Sequence, residues 1–78
     1  MHTKIVVYTT PSCPHCTSAK RFFRERGIPF KEYDVSKDQR AADMMVKKSK
    51  QMGVPVIEVG NQIVVGFDRS KLNRLLNV

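Results

Sequence analysis

No stretch of this chain approaches the run of about 20 apolar residues needed to span a bilayer. The amino-terminal end also lacks the charged-then-apolar pattern of a secretory leader, so a cytoplasmic, non-membrane protein is expected. Cysteine is scarce, with two among 78 residues. A structural zinc site usually closes with four ligands drawn from two separated pairs, and here there is no second pair. The further candidate ligands are His15 and, remotely, His2. Acidic residues are also few, seven against fourteen lysines and arginines, leaving a formal net charge of +7. A nucleic-acid partner would explain that excess, but a Gly-rich RNA motif, an aromatic stacking platform and a basic arm are all missing. The cations therefore read as solvated helix faces that steer acidic partners. Repeats, low-complexity tracts and linkers are absent too, and the length suits one domain, residues 1–78, near the lower limit for a self-sufficient core.

What the chain does have is Cys13-Pro14-His15-Cys16, placed where an apolar run, Lys4-Ile5-Val6-Val7-Tyr8, gives way through Thr9-Thr10-Pro11-Ser12 to a helical pattern. The run is apolar on both faces, as in a central strand buried on two sides. Proline is favoured at the first helical position, which makes Cys13 the N-cap. Its sulfur then faces the unpaired N–H groups and the positive end of the helix dipole, and both favour a thiolate. The thiolate is the nucleophile, and cysteines so placed have pKa values of about 3.5 to 7.5. Cys16 falls on the same helical face within reach of a short disulfide, and it should be the more buried of the two. Cys13 is expected to attack and Cys16 to resolve. A structural disulfide closing so small a loop would remove little entropy from the unfolded chain. His15 either helps to hold the thiolate as an imidazolium or stands exposed without a fixed partner.

Downstream, Cys16, Ala19, Phe22 and Phe23 recur at helical spacing until Gly27 stops the helix. Phe30 to Val35 alternates as a half-exposed strand, and the two strands around one helix suggest a parallel, right-handed βαβ unit. Ser36 with Gln39 resembles a capping box opening a second helix, whose stripe is Ala42, Met45 and Val46, with Ser49 next. Lys47, Lys48 and Lys50 crowd its C-terminal end, where cations favour the dipole, and the methionines read as core filler. Val56-Ile57-Glu58-Val59, the turn Gly60-Asn61 and Gln62-Ile63-Val64-Val65 form an antiparallel hairpin. Asp68 is a candidate N-cap for a last helix with Leu72, Leu75 and Leu76 on its apolar side. The order is β-α-β-α-β-β-α, an α/β fold.

Three motifs in this order carry a family resemblance: the C-x-x-C after a first strand, Gly53-Val54-Pro55 before a third, and Gly66-Phe67-Asp68 before a terminal helix. Together they resemble the glutaredoxins of the thioredoxin superfamily over essentially the whole chain. The resemblance implies a four-stranded mixed sheet flanked by three helices. It implies a cis Val54-Pro55 bond lying against the dithiol, with the Val54 backbone pairing to an incoming thiol-bearing peptide. Thr10, Val54, Pro55, Gly66, Phe67 and Asp68 would line the substrate groove, while Pro14 and His15 would tune the thiolate. His15 stands where glutathione-using members usually carry tyrosine, and Phe67 replaces the second of two glycines. In its Gly66-Phe67 step and its Leu72-Asn73-Arg74-Leu75 tail the chain is similar to the small glutaredoxin-like redoxins that pass electrons from thioredoxin reductase to ribonucleotide reductase. The implied protein is a monomer without a bound cofactor or metal, reducing protein disulfides with electrons from NADPH through thioredoxin reductase, or from glutathione. Alternatives are a glutathione-dependent glutaredoxin acting on glutathione mixed disulfides, and a dimer holding an iron–sulfur cluster or zinc through Cys13.

Overall fold

A computed structural model describes residues 4–76; His2 lies outside them. The elements are β1 (Ile5–Thr9), α1 (Pro14–Glu25), β2 (Lys31–Asp34), α2 (Gln39–Ser49), β3 (Val56–Val59), β4 (Gln62–Val65) and α3 (Arg69–Leu76). The sheet order is β2-β1-β3-β4. β1 runs parallel to β2 and antiparallel to β3, which pairs antiparallel with β4. The mixed four-stranded sheet with three helices is the α/β architecture expected above.

Central position explains why β1 is buried along its whole length. Successive side chains of a strand point to opposite faces. Ile5 and Val7 accordingly join Ile57, Val59 and Val64 beneath Ala19, Phe22 and Phe23 of α1 and Leu72 of α3. Val6 and Tyr8 face the other way, against Val56, Ala41 and Met45, with α2 as the cover. Thr9, read from sequence as loop, is the last residue of β1, and it is buried on the α1 side of the sheet by the same alternation.

The helix ends follow local chemistry. After α1 the Gly27 N–H donates to the Arg24 carbonyl at 3.1 Å and the Ile28 N–H to the Phe23 carbonyl at 2.9 Å. This pair of bonds is the Schellman arrangement, which needs the left-handed φ of +65° that Gly27 takes without steric cost. At α2 the structure corrects the expected cap. Asp38, not Ser36, is the N-cap, accepting from the Ala41 N–H at 3.0 Å. The Asp34 carboxylate has already engaged Ser36, receiving its N–H at 2.9 Å as well as its hydroxyl. The buried row of α2 is correspondingly Ala41 and Met45, with Ser49 half-buried, whereas Ala42 is half-buried and Val46 exposed. Nor are all the methionines core filler, since Met44 and Met52 are exposed. Lys48 pairs with Glu58 of β3 at 2.9 Å, tying α2 to the sheet. Asp68 caps α3 as expected, accepting from the Lys71 N–H at 3.1 Å.

Strand directions gather the three motifs at one end of the sheet. β1 ends at Thr9, and its antiparallel neighbour β3 begins at that end, with Tyr8 opposite Val56. β4 finishes there too, with Val65 opposite Val56. The segments after β1, before β3 and after β4 are therefore neighbours.

The cap assignment predicts that Asp38→Ala destabilises the protein by about 1 kcal/mol in a denaturant titration, the usual cost of losing such a cap. Ser36→Ala should act elsewhere. The Ser36 hydroxyl holds the Asp34 carboxyl below its ordinary range. Because that folded-state value is depressed, the turn's contribution is present at neutral pH and lost as pH falls through the Asp34 titration. An NMR titration of Ser36→Ala should show Asp34 moving back up toward the unperturbed aspartate value.

Candidate active site

Cys13 has the extended backbone of an N-cap, φ −97° and ψ 111°, and Pro14 opens α1. Its Sγ accepts the Cys16 N–H at 3.2 Å. On its other side Sγ lies 3.8 Å from the Val54 carbonyl oxygen, close enough for a thiol there to donate. The Cys13 N–H reaches the Thr10 carbonyl at 3.4 Å, closing the turn that leads into the helix. Cys13 is partly exposed and Cys16 fully buried, the order expected from sequence.

Burial pushes the Cys16 thiol above the ordinary cysteine range, and the neighbouring Cys13 sulfur adds to the shift. Contacts with the Thr9 hydroxyl and the Thr10 backbone oppose it without cancelling it. At neutral pH Cys16 is thus a thiol that must lose its proton to act as a nucleophile. Thr9 was missed as a site residue. Its burial could have been read from the alternation of β1, but its approach to Cys16 depends on how α1 crosses the strand.

The Val54–Pro55 peptide is cis. The Pro55 carbonyl accepts the Gly66 N–H at 2.8 Å, joining two of the three motifs directly. Gly66 sits at φ +81°, a conformation costly for any residue with a Cβ. Phe67 is half-buried, its ring edge-on to Phe22 with centroids 5.8 Å apart. A polar cleft of about 300 Å³ opens beside it, lined by Ser18, Arg21, Phe22, Glu25, Phe67 and Arg69. The structure thus brings Thr10, Cys13, Cys16 and Val54 into one bonded cluster, with Pro55 and Gly66 attached to it. Asp68 is occupied as the cap of α3. Pro14 and His15 are exposed in the first turn, and His15 contributes neither of the bonds at Cys13 Sγ.

Among the described residues, no group of three or more His, Cys, Asp or Glu is placed to share a metal ion. No described helix is long and apolar enough to cross a membrane.

The chain is similar to known proteins over most of its length. The glutaredoxin family model matches residues 5–64. A glutaredoxin-like 8.6 kDa protein of a rubredoxin operon in Clostridium pasteurianum, itself uncharacterised, is 36% identical over 72 residues, 92% of this chain and 96% of its own. Among solved structures, the thioredoxin-like protein BC3987 superposes with a TM-score of 0.87 at 33% identity, covering 92% of this chain and 99% of the other. The glutaredoxin-like NrdH-redoxin of Escherichia coli, described as having a thioredoxin-like activity profile, gives a TM-score of 0.82 at 29% identity, over 92% and 93%. The chain belongs to the glutaredoxin family, thiol–disulfide oxidoreductases of thioredoxin-like fold.

Proposed function

We propose that this protein reduces disulfides in other proteins through Cys13 and Cys16. The observation that carries the reading is the Cys16 N–H aimed at Cys13 Sγ at the start of α1. A donor in that position, together with the dipole of the helix, steadies negative charge on the sulfur during attack and again when it leaves.

The chemistry balances as two exchanges. Ionised Cys13 attacks one sulfur of the substrate disulfide, forming a mixed disulfide and expelling the first substrate sulfur as a thiolate. Cys16 then gives up its proton and attacks Cys13 Sγ. The mixed disulfide breaks, the second substrate thiolate leaves, and a Cys13–Cys16 bridge remains. Two electrons have passed from the dithiol to the substrate, and an external reductant must return them. Glutaredoxins draw on glutathione or thioredoxin-type reductants. For this chain a thioredoxin reductase using NADPH is the better fit. Phe67, packed edge-on against Phe22, stands where glutathione users carry the second glycine, and NrdH-redoxin is a neighbour in structure. The working environment is a reducing cytoplasm, in which a catalytic dithiol is kept available. Thr10, Val54, Pro55, Gly66 and Phe67 border the approach to Cys13, while His15, exposed beside it, meets the partner surface.

Cys13→Ser should abolish reduction of a protein disulfide in an NADPH-coupled assay, and a variant that kept the parent rate would overturn the assignment. Cys16→Ser should instead accumulate a mixed disulfide through Cys13, visible by intact-mass spectrometry. At pH 7 iodoacetamide should label Cys13 well before Cys16. Because burial raises the Cys16 value, its labelling in the Cys13→Ser protein should climb only as pH passes above the ordinary thiol range of about 8.5.

A further inference from the structure

Between α2 and the Val54 carbonyl runs a short loop whose hydrogen bonds the redox chemistry leaves unexplained. The side-chain amide of Gln51 binds both polar groups of one backbone residue. Its Oε1 accepts the Gly53 N–H at 2.6 Å, and its Nε2 donates to the Gly53 carbonyl at 3.1 Å. The same Nε2 donates to Ser49 Oγ at 3.2 Å, and that hydroxyl donates to the Met45 carbonyl at 2.6 Å. A continuous chain of bonds thus links the last turn of α2 to Gly53, the residue before Val54. The fit is close: a Cβ on Gly53 would stand 2.8 Å from Gln51 Oε1.

Two bonds from one partner to the N–H and C=O of a single residue are what a facing residue supplies in an antiparallel hydrogen-bonded pair. A planar amide can make both only if the two groups of Gly53 point the same way, as they do in extended chain. The chain bends at Val54, the next residue, and its carbonyl lies 3.8 Å from Cys13 Sγ. Fixing Gly53 from one side therefore fixes where that bend, and the Val54 backbone, begins.

We propose that Gln51 is a positioning residue for substrate. Its amide replaces a neighbouring strand behind the loop, and it presents the backbone of Val54 to an extended polypeptide carrying the target disulfide. This rests on the disulfide-reductase reading above and narrows it. The preferred substrate has peptide backbone to pair beside its cysteine, and a small disulfide without amides gains nothing from Gln51.

The test compares the full-length parent, Gln51→Ala and Gln51→Glu, each pre-reduced, in single-turnover reduction of a disulfide-linked peptide and of hydroxyethyl disulfide. A glutamate can still accept the Gly53 N–H but cannot donate to its carbonyl. For the peptide, Gln51→Ala should raise the half-saturating concentration about 5- to 10-fold with the maximal rate within about twofold, as loss of one or two backbone bonds implies. Gln51→Glu should fall between, and hydroxyethyl disulfide should be affected less than the peptide in both variants. Equal losses on the two substrates, or none on the peptide, would overturn the proposal. A second measurement needs no turnover: hydrogen exchange of the Gly53 and Val54 amides, before and after Cys13 is joined chemically to the peptide. Gly53 should be protected in the parent and unprotected in Gln51→Ala, and Val54 should gain protection on joining in the parent alone. Failure of the parent to reduce either disulfide would refute the reductase reading, whereas the exchange data decide the role of Gln51 by themselves.

Discussion

The first turn of any α-helix carries N–H groups that no carbonyl of its own helix can satisfy. In this protein a sulfur takes one of them: the Cys16 N–H points at Cys13 Sγ, and Pro14 has no N–H to leave unsatisfied. The other features of the site serve this arrangement. Ala19, Phe22 and Phe23 seat α1 on the sheet, and the Schellman turn at Gly27 returns the chain promptly to β2. The helix start is thereby held against the end of β1, with Cys16 inside and Cys13 at the surface.

One helix start would not make a redox centre without company from elsewhere in the chain. The company is supplied by strand direction. Since β3 runs against β1, the loop carrying Val54 and Pro55 arrives at the end where β1 departs, and β4 brings Gly66 to the same place. Residues about forty positions apart meet because of register, and the exposed thiol lies against a backbone carbonyl rather than in open water. The two thiols then occupy different environments, one at the rim and one behind it, and an exchange that proceeds in a fixed order needs that difference.

Much of this was legible in the sequence. The α1 stripe, the cap position of Cys13, the hairpin at Gly60-Asn61 and the element order depend on local periodicity and on residues with restricted backbone choices. What sequence misread depended on competition between equivalent groups. Ser36 and Asp38 can both cap a helix, and the choice fell to Asp38 because Asp34, ending β2, had captured Ser36. The buried row of α2 is displaced to Ala41 for a related reason: which face meets the sheet is set by packing over Val6 and Tyr8, and the stripe is too short to declare it. Thr9 and Gln51 carried no motif. Their roles arise from a strand end and a loop closing around them, which only the three-dimensional path of the chain defines.

The two rims of the sheet are short, four residues each in β2 and β4. β2 shows Lys31 and Glu32 to solvent, with Glu32 held by Lys20 at 2.7 Å, and β4 shows Gln62 and Val65. Brief rims are poor templates for sheet-to-sheet aggregation, and β2 adds charges along its own. A visiting chain finds little to zip onto along the flanks, which sets them apart from the main chain beside the thiol, the place proposed for a substrate.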